Sequence, residues 1–262
     1  ARNEIDHLQD VLNTIPDFVD KVVVVDDGST DGTGDLVKNE ELVRLEGEGV
    51  GAAIDNGHQK LLEIFEDDFI SVVMAGDGQM DPDDMESLIK PIINGNAHHV
   101  KGERLDRAGK MPIFRRFGTI LLSILSTLAC GQRIRDSQCG YTATSSKVLR
   151  DWNWNSSWKG YGYPNYWLMS LSESGWRISH VPVRAIYEGQ KSGIRMISFL
   201  PKVSLMLLIG LHVRILRNTV KSPTIALLFT WATYVIGWVY NPLMLILTHL
   251  TDRIHVSSIK RD

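Results

Sequence analysis

The chain has 262 residues, 44% of them hydrophobic and 23% charged, which is enough for a buried core and excludes both a disordered chain and one immersed throughout in membrane. Two cysteines, Cys130 and Cys139, exclude a disulfide scaffold and a four-cysteine zinc site, and reduced thiols are expected. The net charge of −3 excludes a general nucleic-acid binder but hides a split: residues 1–100 carry 23 acidic and 6 basic side chains, the other 162 carry 8 and 22. An acidic half joined to a basic half points to metal chemistry in the first and to anion or membrane contact in the second.

No signal-type leader is expected at the start. Ala1-Arg2-Asn3-Glu4 leads into an apolar-periodic helix through Ile5, Leu8, Val11 and Leu12. Val22 to Val25, ended by Asp26 and Asp27, reads as a buried parallel strand. A turn over Gly28–Gly32, a short strand at 42–45 and a helix from Gly49 to about Phe65 follow. Phe69–Met74 predicts a second buried strand, ending at Gly76-Asp77-Gly78-Gln79. Asp81-Pro82 opens a helix to about Ile93, and 97–102 is strand-like. This alternation predicts an α/β domain with a mainly parallel sheet, whose ligands bind beyond the carboxyl ends of the strands.

The second half changes character. A helix is expected over 111–128, with Arg115 and Arg116 in its first turns. Trp152, Trp154, Trp158, Tyr161, Tyr163, Tyr166 and Trp167 crowd one span, readable as core or as the wall of a binding path. Residues 176–186 are strand-like. Seven Lys or Arg against one acidic residue between Arg184 and Lys221 predict a basic, in-plane juxtamembrane helix over 196–222. Residues 223–250 contain 17 uncharged residues, 224–240, flanked by Asn241-Pro242, and predict one transmembrane segment or a short hairpin. Residues 251–262 read as a polar tail. The basic flank would place the folded domain on the cytoplasmic side of a cell membrane or an endoplasmic-reticulum-type membrane.

Asp26 and Asp27 suit two uses, accepting hydrogen bonds from a bound ligand or capping a turn. Asp77 beside glycines suits a turn, or a hydrated Mg²⁺ or Mn²⁺ bridging a diphosphate. Gly49 and Gly51 at a helix start are a weak anion signal.

Taken together, Ala1-Arg-Asn-Glu4, Val24-Val-Asp-Asp-Gly-Ser-Thr-Asp-Gly-Thr33, Gly49-Val-Gly-Ala-Ala53, Met74-Ala-Gly-Asp-Gly-Gln-Met-Asp-Pro82, Lys101-Gly-Glu-Arg104, Asp136-Ser-Gln-Cys-Gly-Tyr141 and Tyr187-Glu-Gly-Gln-Lys-Ser192 resemble, in that order, inverting glycosyltransferase family two. The branch is similar to dolichol-phosphate mannose synthase and polyprenyl-phosphate glycosyltransferases. The resemblance covers residues 1–195 and implies a GT-A fold, a UDP- or GDP-sugar donor, a divalent cation, and polyprenyl phosphate at a membrane as acceptor. It implies that Glu4 and Asp26 contact base and ribose, that Asp27, the second aspartate of that strand end, belongs to the donor site, that Asp77 and Gln79 serve the metal, and that Arg104 serves the sugar side. Arg115 or Arg116 closes on the diphosphate, Asp136 belongs to the acceptor side, and Lys191 and Arg195 meet phosphates. Ala75 stands where the family's first metal-motif aspartate is found. The family also places a strand before Ala1, so that strand is expected to be missing from the chain. A homo-oligomer is left open, as are a transferase of the same fold acting on a glycan, protein or other lipid and a non-enzymatic membrane adaptor, the last supported by Ala75 alone.

Overall fold

A computed structural model of the protein describes residues 1–104, 113–156, 158, 162–186, 196–241 and 243–261. After helix α1 (Leu8–Asn13), strand β1 (Val23–Asp27) is buried over its last four residues, as an unbroken β-branched run requires. It pairs in parallel with β2 (Glu41–Leu45), Val25 opposite Val43, and α2 (Val50–Ile64) packs back on it. A second sheet has the order β3-β5-β4-β6, formed by β3 (Ile70–Val73), β4 (His99–Glu103), β5 (Thr142–Ser145) and β6 (Ile178–Pro182). The parallel pairing expected from the sequence is present at β1–β2 and β4–β6, whereas β5 runs antiparallel to both of its neighbours.

Helix α3 (Met85–Ile93) covers the second sheet through Met85 and Leu88, which pack with Val100, Tyr141 and Val183. A second core joins α5 (Ser146–Asp151) and α6 (Tyr163–Glu173) through Val148, Leu149, Tyr163, Trp167 and Leu171. Most of the described aromatic span belongs here: Trp152 stacks on Trp167 at 3.9 Å and 10°. These rings are core, not the wall of a path.

The strands fix where the site forms. β3 and β4 are both antiparallel to β5, so they point the same way, and their carboxyl ends share one edge. The end of β1 reaches that edge through Ala1, whose carbonyl accepts from Asp27 N at 3.0 Å and whose methyl lies against Gly76.

The remaining helices form a largely apolar layer. α4 (Ile113–Cys130) and α7 (Met196–Lys221) pack through Leu122, Ala129, Val203 and Leu207. α8 (Ile225–Val239) and α9 (Met244–Ser258) form an antiparallel hairpin, zipped by Thr230–Thr251 and Thr233–Thr248 hydrogen bonds at 3.0 Å. Arg214 of α7 is fully buried. It donates to both oxygens of Asp252 on α9 at 2.9 and 2.7 Å, and to the carbonyl oxygens of Ala129 at 2.6 Å and Leu128 at 3.4 Å. It thereby satisfies last-turn carbonyls that α4 cannot pair internally.

One expectation of the tail changes, at residues 251–258. Among the described residues, the helix long and apolar enough to cross a membrane, by length and composition, is Phe199–Lys221, which occupies the stretch expected to form an in-plane helix. The span expected at 224–240 is a 15-residue helix folded into the hairpin alternative. Residues 251–258, read as a polar tail, continue α9, because Asp252 and His255 are buried against Arg214 and Asn218. Neither partnership shows in the local pattern.

Candidate active site

The carboxylates predicted from the sequence gather at the shared edge. Glu4 lies within electrostatic reach of Asp77, and Asp26 and Asp27 end β1. Glu4 is placed by its own backbone: its N–H donates to Thr33 Oγ1 at 2.8 Å, and its carbonyl accepts from His7 and Leu8 at the start of α1. Burial, and then the charge of Asp77, push the Glu4 carboxyl above its ordinary range. Asp26 is buried at the strand end; it accepts from Ser29 N at 3.1 Å and faces Arg44 at 3.5 Å. Gly34 lies directly against this carboxylate, and any side chain there would displace it.

Asp27 differs from its neighbour. Its two oxygens accept from Glu48 N at 2.7 Å and Gly49 N at 2.9 Å, so it caps the entry to α2. These bonds use the amides of Glu48 and Gly49, just ahead of the first turn of α2. Asp77 sits in the turn after β3 and accepts from Gln79 N at 3.0 Å through Oδ1. Gln79 O in turn accepts from Ile186 N at 3.0 Å, and Met80 bridges to Ala185. The chain therefore enters segment 187–195 beside the Asp77 turn.

Arg104, just past β4, meets Asp136, which arrives in the loop before β5. Arg104 Nε and Nη2 donate to the two Asp136 oxygens at 2.8 and 3.2 Å. Asp136 is fully buried and also accepts from Gln138 N at 3.0 Å. Burial alone would raise its pKa, but the charge and hydrogen bonds of Arg104, with Lys101 behind, outweigh burial and hold the carboxyl below the usual range. The adjoining Ser137 N donates to Ser123 Oγ at 3.2 Å, which sets the pair against α4.

The Arg115 side chain, Lys191 and Arg195 lie outside the described residues. Arg116 is exposed on the first turns of α4. Lys101 was missed as a site residue. Its ammonium is buried, donates to Cys139 O and has its pKa lowered by burial. A lysine inside a strand otherwise buried along its length was the available signal. Both cysteines are free and buried, and burial pushes the Cys130 thiol up to about 12.

Among the described residues no group of three or more His, Cys, Asp or Glu could hold a metal alone. A hard cation that takes most of its ligands from a diphosphate needs one or two protein carboxylates, a demand that Asp77 meets.

Acidic side chains at the carboxyl edge of an α/β sheet, with a fixed arginine in the same layer, lie where proteins of the α/β class bind their ligands. The chain belongs to glycosyl transferase family 2, whose model matches residues 1–155, and it is a glycosyltransferase. It is 29% identical over 211 residues to the UDP-N-acetylglucosamine–dolichyl-phosphate N-acetylglucosaminyltransferase of Methanococcus voltae, covering 71% of this chain and 83% of that one. It is 30% identical over 209 residues to the undecaprenyl-phosphate mannosyltransferase of Micrococcus luteus, covering 73% and 84%. The fold is shared with the mannosyltransferase PcManGT of Pyrobaculum calidifontis, solved with GDP-Man and Mn²⁺, at a TM-score of 0.51 and 14% identity, over 99% of this chain and 84% of that one.

Proposed function

We propose that the protein transfers a hexosyl unit from a UDP- or GDP-sugar to a polyprenyl phosphate, with inversion at the anomeric carbon, at the cytoplasmic face of a membrane. The observation that carries this reading is a placement. The Arg104–Asp136 pair lies against α4, which exposes Phe117, Ile120 and Ile124, so a charged site adjoins an apolar helical layer. The relatives named for transfer to dolichyl and undecaprenyl phosphate support the acceptor class.

In this reading the domain of residues 1–195 binds the donor and residues 196–261 meet the membrane. Glu4 and Asp26 accept hydrogen bonds from base and ribose, and Asp27 serves them from behind by fixing the start of α2. Asp77, with Gln79 two residues on, would hold Mg²⁺ or Mn²⁺, and the cation would supply positive charge to the leaving group. Arg104 presents a guanidinium that Asp136 has already oriented, so little reorganisation accompanies charge development. Arg115 or Arg116, Lys191 and Arg195 supply cations to the donor and acceptor phosphates. An acceptor phosphate is already anionic near neutral pH, so the residues must align it with the anomeric carbon and need not deprotonate it.

The test is turnover of the detergent-solubilised full chain with a panel of UDP- and GDP-sugars. Transfer to polyprenyl phosphate with at least one donor is the expected result. Transfer to a glycan or protein acceptor, with none to polyprenyl phosphate, would overturn the acceptor assignment.

A further inference from the structure

The helical layer exposes more apolar surface than water tolerates without a partner. Leu205, Leu208 and Ile209 of α7, Phe229 and Trp238 of α8, and Ile246 of α9 are each 45–66% exposed. Composition alone would let α7 cross a bilayer. The tertiary contacts argue otherwise.

α7 is about 39 Å long at 1.5 Å per residue, yet it is fastened to the catalytic domain along its length. Val203 and Leu207 pack on Leu122 of α4, and Gly210 lies directly on Met169 of α6. At its far end Arg217 and Lys221 pair with Glu173, also on α6, at 3.4 and 3.8 Å. A helix held to one globular domain at both ends has no free hydrocarbon-length segment to send through a membrane.

The hairpin is closed in the same way. α8 and α9 have 15 residues each, about 22 Å, against roughly 30 Å of hydrocarbon. The chain then returns to the catalytic domain. Arg261 N donates to Gly175 O at 2.8 Å, its guanidinium pairs with Asp151 at 2.8 Å, and it lies 4.3 Å from the centre of the Trp176 ring. The buried Arg214–Asp252 pair locks α9 to α7 between these points. Exposed Lys221, Arg253 and Lys260 stand at the base of the hairpin, while its turn carries Trp238, Tyr240 and Leu243. Basic side chains around the entry and aromatic and aliphatic ones at the tip match the headgroup and acyl layers of a single leaflet.

We propose that the described chain binds one leaflet of a lipid bilayer without crossing it. α7 lies in the plane of the surface, the α8–α9 hairpin dips in and returns, and residues on both sides of the tail face the same compartment. The inference rests on the membrane contact proposed above.

It is tested by adding the full-length protein to preformed, sealed phosphatidylcholine–phosphatidylglycerol vesicles. Single cysteines are placed at Asn39→Cys on the catalytic domain, Tyr240→Cys at the tip and Ser257→Cys near the end of α9. An impermeant maleimide is supplied either outside the vesicles or trapped within. The expected result is flotation with the vesicles, outside labelling of positions 39 and 257, and no labelling of position 240 from either side until detergent is added. Labelling of position 240 or 257 from inside would show a crossing and overturn the inference while leaving membrane contact intact. Failure to float, or complete release by high salt, would remove insertion itself, and the inference with it. Each outcome is read without reference to activity, so a wrong donor or acceptor assignment does not affect it.

Discussion

Both carboxylate oxygens of Asp136 are engaged by the Arg104 guanidinium, at 2.8 and 3.2 Å, in a site from which Asp136 is wholly excluded from solvent. In the proposed reaction a carboxylate committed in this way would orient its partner and would not accept a proton. It removes rotational freedom from the Arg104 guanidinium.

Asp136→Asn should therefore lower kcat/KM by a hundredfold or more and leave nucleotide binding within a fewfold of wild type. Steady-state kinetics and nucleotide calorimetry check this split. Because the Asp136 pKa is depressed in the folded protein, its contribution to stability is present above the unfolded value near 4 and is lost as pH falls through the folded one. The difference in urea midpoint between wild type and Asp136→Asn should accordingly be large at pH 7 and shrink below about pH 4.

Asp77→Ala should abolish transfer and the Mg²⁺ or Mn²⁺ dependence of donor binding without changing the thermal midpoint. Ala75→Asp, which adds a second carboxylate to the same turn, should tighten Mn²⁺ binding measured by calorimetry in the presence of donor. Metal-dependent turnover near the wild-type rate in Asp77→Ala would reject Asp77 as the ligand.

His58 is buried between Trp154 and Trp167, and desolvation lowers its pKa to about 4. The unfolded chain protonates this ring near pH 6.5 and the folded protein resists doing so. Stability is therefore full above that value and is lost as pH falls toward the folded pKa, by on the order of 3 kcal/mol at the limit. Chemical denaturation between pH 7 and 4 should show the decline, and His58→Phe should make it shallower by the share of this ring, leaving that of His99 and His180, whose pKa values burial also lowers.

Gly131 ends α4 with φ +63°, and a β-carbon there would meet Val256 at 2.6 Å and Asp252 at 2.8 Å. Gly131→Ala and Arg214→Ala should both loosen α9, the latter by about 3–5 kcal/mol because it strands a buried carboxylate. Amide exchange should rise in α9 before it rises in β4 or β5.

The parts legible in the sequence are those whose cause is local. The Val22–Val25 run declares a buried strand, and the aspartates that end it necessarily reach the carboxyl edge. Strand β5 was not legible, since Thr-Ala-Thr-Ser has neither length nor apolar alternation; it is a strand because β3 and β4 offer it edges on both sides. Asp27 looked equivalent to Asp26, and only the fold of β2 brings Glu48 and Gly49, 21 and 22 residues away, onto its oxygens. Arg214 read as one more surface cation because its partner lies 38 residues further on.

The hydrogen bond from Ile186 N to Gln79 O, with the bridge between Met80 and Ala185, anchors the start of segment 187–195 through main-chain atoms. Main-chain anchors are indifferent to side-chain identity, and the next described element, α7, is held by its own contacts. The junction between the Asp77 turn and Ile186 therefore keeps its register whichever side chains Ala185 and Ile186 carry.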